Sequence, residues 1–555
     1  MTKKLLLLIA MLGLIVGLSG CWQRIDSSEK AAEVINGWVE KDINPSFREN
    51  QYKANIRLTQ TNLLSLLPDI REYPIVFGPR DNARVEVVEI FTSSEKSGSR
   101  RDGFYIELAD AFNNERIQLS NGKTAAVAIR KIASGLGTQY MLAGQYMPDA
   151  FSPSNLLWGA MLESAGVELT TVAESTAPNT AGIVVKKDQL DQITTAGILD
   201  VAKLLTNVTS GSFSMGYTNP YTSSTGLNFL LTILNEFADG DESQMLSPDV
   251  ASAFEAFQTG VPFVAQTTLQ MRDAAQESGV LDGMVMENQS WVNVTGMRDY
   301  TFVPFGVRHD SPLYATPEAD ESEREVLDMF AQFIERNQRA AQQFGFGENR
   351  SYQSAYQISD PSILSQAQRL WKQKKSGGRP IAAVFVADVS GSMEGKRIRN
   401  LKQALTESSD LISSVNAIGL VTYNEQVNVD LPIREFDVQQ KSLFIGAVER
   451  LAVGGRTATN DAVLVAADLL ADFQKSNPDH KAVIFVLSDG ERNRGFSLED
   501  VRAAMEWTSI PVHSIAYEIE SDELKQLSSL AEGAYITSTA ESASYRIGNL
   551  LNSEM

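Results

Sequence analysis

The run Ile381-Ala-Ala-Val-Phe-Val-Ala387 constrains this chain more than any other stretch. An unbroken apolar run of strand length reads as a strand covered on both faces, which is the habit of parallel sheets with helices packed on each side. It ends in Asp388-Val-Ser390-Gly-Ser392-Met, and Arg397 to Ser413 then carries the spacing of an amphipathic helix. One carboxylate and two hydroxyls are therefore expected on a strand-to-helix loop at the carboxyl edge of a sheet, where open α/β sheets bind ligands.

A second run of the same kind, Val483 to Leu487, ends in Ser488-Asp489-Gly490, and Gly454-Gly455-Arg456-Thr457 offers a further hydroxyl from a tight loop. Hard oxygen donors at this density suit a hard cation. Mg²⁺ takes about six oxygens near roughly 2.1 Å and usually keeps some water. The donors between Asp388 and Ser392 cannot fill that shell, so the other loops must contribute. In this order and spacing, the D-x-S-x-S, Thr and Asp elements resemble the metal-ion-dependent adhesion site of von Willebrand factor type A domains. The resemblance covers residues 379–555. It implies a doubly wound, Rossmann-like domain in which the hydroxyls of Ser390, Ser392 and Thr457 bind the ion, while Asp388 and Asp489 bind it directly or through water. It also implies Mg²⁺, with Mn²⁺ as a substitute in an all-oxygen shell, and a protein partner offering an Asp or Glu as the missing ligand.

The N-terminus reads as an export signal. Lys3-Lys4 precedes an apolar run from Leu5 to Leu18, followed by small residues up to Cys21. Leu18-Ser19-Gly20-Cys21 resembles the bacterial lipoprotein lipobox, which implies removal of residues 1–20 and lipid on Cys21. That is the single cysteine of the 555 residues, so no intramolecular disulfide or thiol metal site is expected. The expected location is the bacterial cell envelope, lipid-anchored to a membrane and facing the periplasm or exterior. A formal net charge of −21 argues against nucleic acid as a partner.

Residues 21–74 read as the lipidated end, a spacer and an early helix. The basic, Gly-rich segment Trp371 to Pro380 reads as a linker, giving a connection over 351–378. Between these, residues 75–350 alternate strand and helix signals, which predicts α/β architecture with mostly parallel sheets. Strands are expected at 84–91, 124–132, 182–186, 212–217, 283–287 and 301–305, with helices at 198–205, 226–237 and 321–344. Several strands end in Ser, Thr and Gly at a helix start, which serves either N-capping or a polar cleft. Gly103 to Phe112, Ser134 to Thr138, Pro148 to Ser154 and Gly216 to Gly226 resemble bacterial extracellular solute-binding proteins, the two-lobed kind that closes on ligand. That resemblance implies that Thr92, Ser93, Ser94, Ser134, Thr222, Ser223, Ser224 and Glu287 face an interlobe cleft for a small polar or anionic solute. Glu287 there either excludes anions or binds a donor group.

No catalytic constellation is present: no G-x-S-x-G, P-loop or H-E-x-x-H occurs, and the chain is not expected to be an enzyme. The sequence supports a membrane-tethered, metal-dependent protein-binding module, used in adhesion or assembly. The alternative is the solute-capture subunit of a transport system with the C-terminal domain as a docking module.

Overall fold

Strand Ile381–Asp388 is buried at every position and lies at the centre of a seven-stranded sheet in the computed structural model. The structure describes residues 25–554 apart from 49, 55, 57–62, 81–82, 262, 266–270, 273–280, 348, 350, 509, 531–532 and 540–541. Cys21 and the signal segment lie outside the described residues.

The central strand pairs in parallel with Ala417–Tyr423 on one side and Lys481–Ser488 on the other. Val512–Tyr517 and Tyr535–Ser538 continue the sheet in parallel, while Val427–Glu435 runs antiparallel beside Ala417–Tyr423. Side chains of the central strand alternate between two cores. Ala382, Val384 and Val386 pack with helices Thr459–Ser476 and Leu498–Thr508. Ile381, Ala383, Phe385 and Ala387 pack with helices Lys396–Ser409, Val438–Glu449 and Ala543–Glu554. Period-two alternation with both sets apolar is why the run could not be amphipathic.

The sheet has a contributor from far away in the chain. Ser46–Phe47 adds in parallel to the edge strand Val427–Glu435. Helix Ser28–Trp38 lies on the helices of one face, and its Ile35 is buried in the same core as Val384 and Val386. The Ser442 hydroxyl donates to the Ala54 carbonyl at 2.7 Å. Gly446 allows the Tyr52 carbonyl to approach, since a Cβ there would stand 2.1 Å from that oxygen. The early helix foreseen from the sequence thus forms, and the residues after it strap the C-terminal domain.

The middle of the chain builds two further sheets. A six-stranded sheet has the order Ile75–Phe77, Thr124–Lys131, Val85–Thr92, Ala150–Ser152, Leu313–Ala315, Thr170–Ala173. A five-stranded sheet has the order Phe263–Ala265, Met215–Thr218, Gly283–Glu287, Thr180–Lys186, Tyr300–Arg308. The chain therefore leaves the first lobe before Thr180 and returns after Arg308. Those two long strands carry it out and back, so they pair antiparallel. Gly283–Glu287 is also antiparallel to Thr180–Lys186, which makes this sheet mixed rather than mostly parallel.

Other boundaries shift for local reasons. The helix expected over 321–344 ends at Arg336, where Asn337 leaves helical geometry and its side chain caps the Phe333 carbonyl at 2.8 Å. At 198–205 a short strand, Ile198–Leu199, precedes a helix that starts at Val201 behind the N-cap Asp200. The stretch read as a linker contains helix Ser362–Lys374. Ile363, Leu364, Ala367 and Trp371 line its buried face, and the Trp371 indole donates to the Tyr217 hydroxyl at 2.6 Å. Its lysines and flanking glycines masked an amphipathic stripe.

Candidate functional site

Three loops meet at the carboxyl edge of the seven-stranded sheet. Asp388 ends the central strand and is fully buried. The Ser390 amide donates to Asp388 Oδ1 at 2.8 Å, folding the loop back over the strand end. The Ser390 and Ser392 hydroxyls lie 3.0 Å apart, and Ser392 donates to Asp489 Oδ1 at 2.8 Å. The Gly454–Thr457 loop is tied to the same place by backbone bonds, Gly454 to the Val389 carbonyl at 2.9 Å and Gly391 to the Gly455 carbonyl at 3.1 Å. Thr457 is buried, and its amide donates to the Asn493 side chain at 2.9 Å. All five residues singled out from the sequence therefore sit on loops joined at one sheet edge.

The structure adds partners that the sequence pattern did not single out. The Ser488 hydroxyl donates to Asp388 Oδ2 at 2.6 Å, and the buried Tyr423 hydroxyl reaches the same oxygen at 3.4 Å. Burial pushes the Asp388 carboxyl above its ordinary range, and the neighbouring Asp489 charge adds to this, while Ser488 and Ser390 pull it back. Arg397 donates to Asp489 Oδ2 at 2.5 Å and to the Ser392 carbonyl at 3.2 Å. Ser488 could have been suspected from its place in Ser-Asp-Gly. Arg397 carries no motif, because its role depends on where the first turn of its helix points.

The donor set fits a hard divalent ion: three hydroxyls and two carboxylates, all oxygen. Asp388 accepts only from neutral donors among the described residues, so a buried negative charge stands without a cation.

In the two-lobed region, Thr92, Ser93, Ser134, Thr222, Ser223, Ser224 and Glu287 are buried and Ser94 is half-buried. Six of them fall into two groups, Thr92 and Ser94 having no side-chain bond to either among the described residues. Ser134 and the 222–224 cluster meet across the lobes. The Gly135 amide donates to the Thr222 carbonyl at 3.2 Å, and the Trp158 indole donates to Ser224 Oγ at 2.8 Å. A Cβ at Gly135 would stand 2.1 Å from the Tyr221 carbonyl, so glycine allows the lobes to close here. Ser93 lies beside Glu95, in a group with Glu287, Lys96 and His309. The sequence pattern missed three of these: Glu95 and Lys96 follow the Ser/Thr cluster in the short helix Ser94–Ser97, and His309 stands alone after strand Tyr300–Arg308.

Residues 383–550 match the von Willebrand factor type A domain family. The inter-alpha-trypsin inhibitor heavy chain H1 of Mesocricetus auratus is 26% identical over 151 residues, covering 25% of this chain and 16% of that protein. The voltage-dependent calcium channel subunit alpha-2/delta-2 of Homo sapiens is 23% identical over 143 residues, covering 25% of this chain and 12% of that protein. The chain thus spans less than a fifth of the length of these curated relatives. Among solved structures, a periplasmic thiamin binding protein overlaps 54% of this chain and 99% of its own, with a TM-score of 0.38 and 11% identity. The sulfate-binding protein SubI from Mycobacterium tuberculosis H37Rv overlaps 51% of this chain and 91% of its own, with a TM-score of 0.34 and 14% identity. A von Willebrand factor type A domain from Catenulispora acidiphila overlaps 32% and 43%, with a TM-score of 0.30 and 18% identity.

Proposed function

We propose that the C-terminal domain holds a divalent ion, Mg²⁺ or Mn²⁺, on Asp388, Ser390, Ser392, Thr457 and Asp489, and uses it to capture a carboxylate of a protein partner. The observation that carries this reading is the Ser392 hydroxyl, 3.0 Å from the Ser390 hydroxyl and 2.8 Å from Asp489 Oδ1, which joins two loops beside the buried Asp388 carboxylate. Neutral hydroxyl ligands leave much of the ion's charge uncompensated. With Asp388 and Asp489 reaching the ion through water, its direct ligands from this chain are neutral, and an Asp or Glu on a partner surface supplies the anionic one. When bound, the ion supplies the electrostatic attraction. This chain's residues fix its position and leave one side open at the exposed Ser392.

The same proposal places the mature chain in the cell envelope, tethered by lipid at Cys21 and presenting the sheet edge to partners. Titration calorimetry of the mature chain with Mn²⁺ tests the metal site: binding in the wild type and none in Asp388→Ala supports it. Equal affinity in both, or no binding in either, overturns it. A pull-down with and without EDTA tests the partner claim. A second reading, solute capture between the two lobes, is favoured by one specific observation. The hydroxyls of Thr92, at a strand end of the six-stranded sheet, and Thr180, at a strand start of the five-stranded sheet, are buried without a hydrogen-bond partner.

A further inference from the structure

Thr457 differs from the other proposed metal ligands in how it is held. The Ser390 and Ser392 hydroxyls lie 3.0 Å apart, and Ser392 donates to Asp489 Oδ1 at 2.8 Å. Asp388 accepts from the Ser390 amide and the Ser488 hydroxyl. These side chains fix one another. The Thr457 hydroxyl makes no hydrogen bond among the described residues, although the residue is buried. Its place relative to the other oxygens is set by its backbone and its own rotamer.

Both polar groups of that backbone are engaged by one short segment. The Thr457 amide donates to Asn493 Oδ1 at 2.9 Å. The Asn493 and Arg494 amides donate to the Thr457 carbonyl at 3.0 and 3.2 Å. Asn493 thus meets Thr457 as a strand partner would, its side-chain oxygen standing in for a backbone carbonyl. The segment follows Asp489 closely, so these bonds join the loop of the third hydroxyl to the loop of the second carboxylate.

The surroundings do not depend on the Asn493 side chain. Gly455 accepts from the Gly391 amide at 3.1 Å, and the Ala458 amide donates to the Asn424 carbonyl at 2.9 Å, so the Thr457 loop is anchored on both sides. Arg492 places Nε 3.0 Å from Glu523 Oε1, and the Phe496 amide donates to Asp461 Oδ1 at 2.7 Å, so the Asn493 segment keeps its own shape. Phe496 also packs on Trp38, with ring centroids 5.4 Å apart. Asn493 itself is exposed, and its side chain bonds only the Thr457 amide among the described residues. Water can replace an exposed acceptor at modest cost, but it does not hold the amide in one place. Mg²⁺ demands near-ideal octahedral geometry at about 2.0–2.1 Å, so a ligand that drifts weakens the site.

We propose that Asn493 is a positioning residue for the divalent ion: its side-chain oxygen fixes the Thr457 backbone, and with it the direction of the Thr457 hydroxyl, relative to the Asp489 loop. This rests on the metal reading of the C-terminal domain.

The test is titration calorimetry with Mn²⁺ on the mature chain, with melting curves of each variant in EDTA. Asn493→Ala should weaken Mn²⁺ binding by about three- to tenfold, the size of one net hydrogen bond, and melt as cooperatively as the wild type. Asn493→Asp keeps an acceptor for the Thr457 amide and should bind Mn²⁺ at least as well as the wild type. A residue that acts only through Thr457 has nothing to add once that hydroxyl is gone. In a Thr457→Ala background, Asn493→Ala should therefore cause no further loss. Wild-type affinity in Asn493→Ala, a loss in Asn493→Asp equal to that in Asn493→Ala, or the same fold loss with and without the Thr457 hydroxyl overturns the proposal while leaving the metal reading intact. No Mn²⁺ binding by the wild type overturns both.

Discussion

Arg397 reaches from the first turn of its helix to place Nη1 2.5 Å from Asp489 Oδ2, while its Nε holds Glu518 at 3.1 Å. A guanidinium thus stands on one oxygen of a carboxylate whose other oxygen receives Ser392. A divalent ion entering between Ser392 and Asp489 would meet this fixed positive charge. Arg397→Ala is therefore expected to strengthen Mn²⁺ binding, by about tenfold if one charge-assisted hydrogen bond is relieved. Titration calorimetry on the full chain decides it, and weaker binding in the variant would show that Arg397 orients Asp489 instead.

Asp388 makes a prediction of opposite signs. Its carboxylate is buried among neutral donors, so in the metal-free protein the charge is a burden. Asp388→Asn should abolish metal binding and yet raise the melting midpoint of the EDTA-treated protein by a few degrees, about what 1 kcal/mol gives in a domain of this size. A lower midpoint in EDTA would mean that the negative charge itself organises the loop.

The Glu95–Lys96 pair gives a pH signature. Burial, with the Glu287 and Asp102 charges, pushes the Glu95 carboxyl from 4.5 up to about 7. Burial pushes the Lys96 ammonium from 10.5 down to about 7, against the Glu287 and Glu95 charges, which hold it up. Between 4.5 and about 7 the folded chain keeps a proton on Glu95 that the unfolded chain has released, so stability falls as pH rises there. Between about 7 and 10.5 the unfolded chain holds a proton on Lys96 that the folded chain has lost, so stability rises with pH. The contribution of the pair has its minimum near neutrality. Denaturant midpoints of wild type and Glu95→Gln, compared across pH, should differ by a curve that rises from acid to neutral pH in favour of the variant. A flat difference would contradict this.

Trp371 tests whether the supposed linker is structural. Its indole is fully buried and bonded to Tyr217, which in turn donates to Gln258 at 2.9 Å. Trp371→Ala should destabilise the chain by about 3–5 kcal/mol, as large-to-small changes in cores do. A loss within experimental error in urea unfolding would mean that the helix is only loosely docked.

Ile35 makes the corresponding test at the other end. It lies in the core beneath the central sheet, more than 300 residues from the strands it touches. Ile35→Ala should cost about 2–5 kcal/mol and lower the melting midpoint of the C-terminal domain. A C-terminal fragment beginning at residue 379 should be less stable than the same domain in the full chain. Equal stability would show that the N-terminal strap contributes little.

The sequence by itself determined the central strand, its two flanking cores and the five loop residues at its edge, because each is local. An apolar run, a D-x-S-x-S loop and a Ser-Asp-Gly strand end need no distant partner to be read. It also determined the alternation that makes two α/β lobes, since period and turn residues are written within each element. Tertiary structure alone decided which charges meet. Ser392 and Asp489 are 97 residues apart, and the Arg397 that joins them lies on a helix whose pattern says nothing about direction. The same holds for Glu287 and His309, which become partners only because one strand leaves the first lobe and another returns to it. The strap of Ser28 to Ala54 and the docked helix at Trp371 were also decided there. Their apolar stripes are short, and burial of a short stripe depends on a surface supplied by another part of the chain.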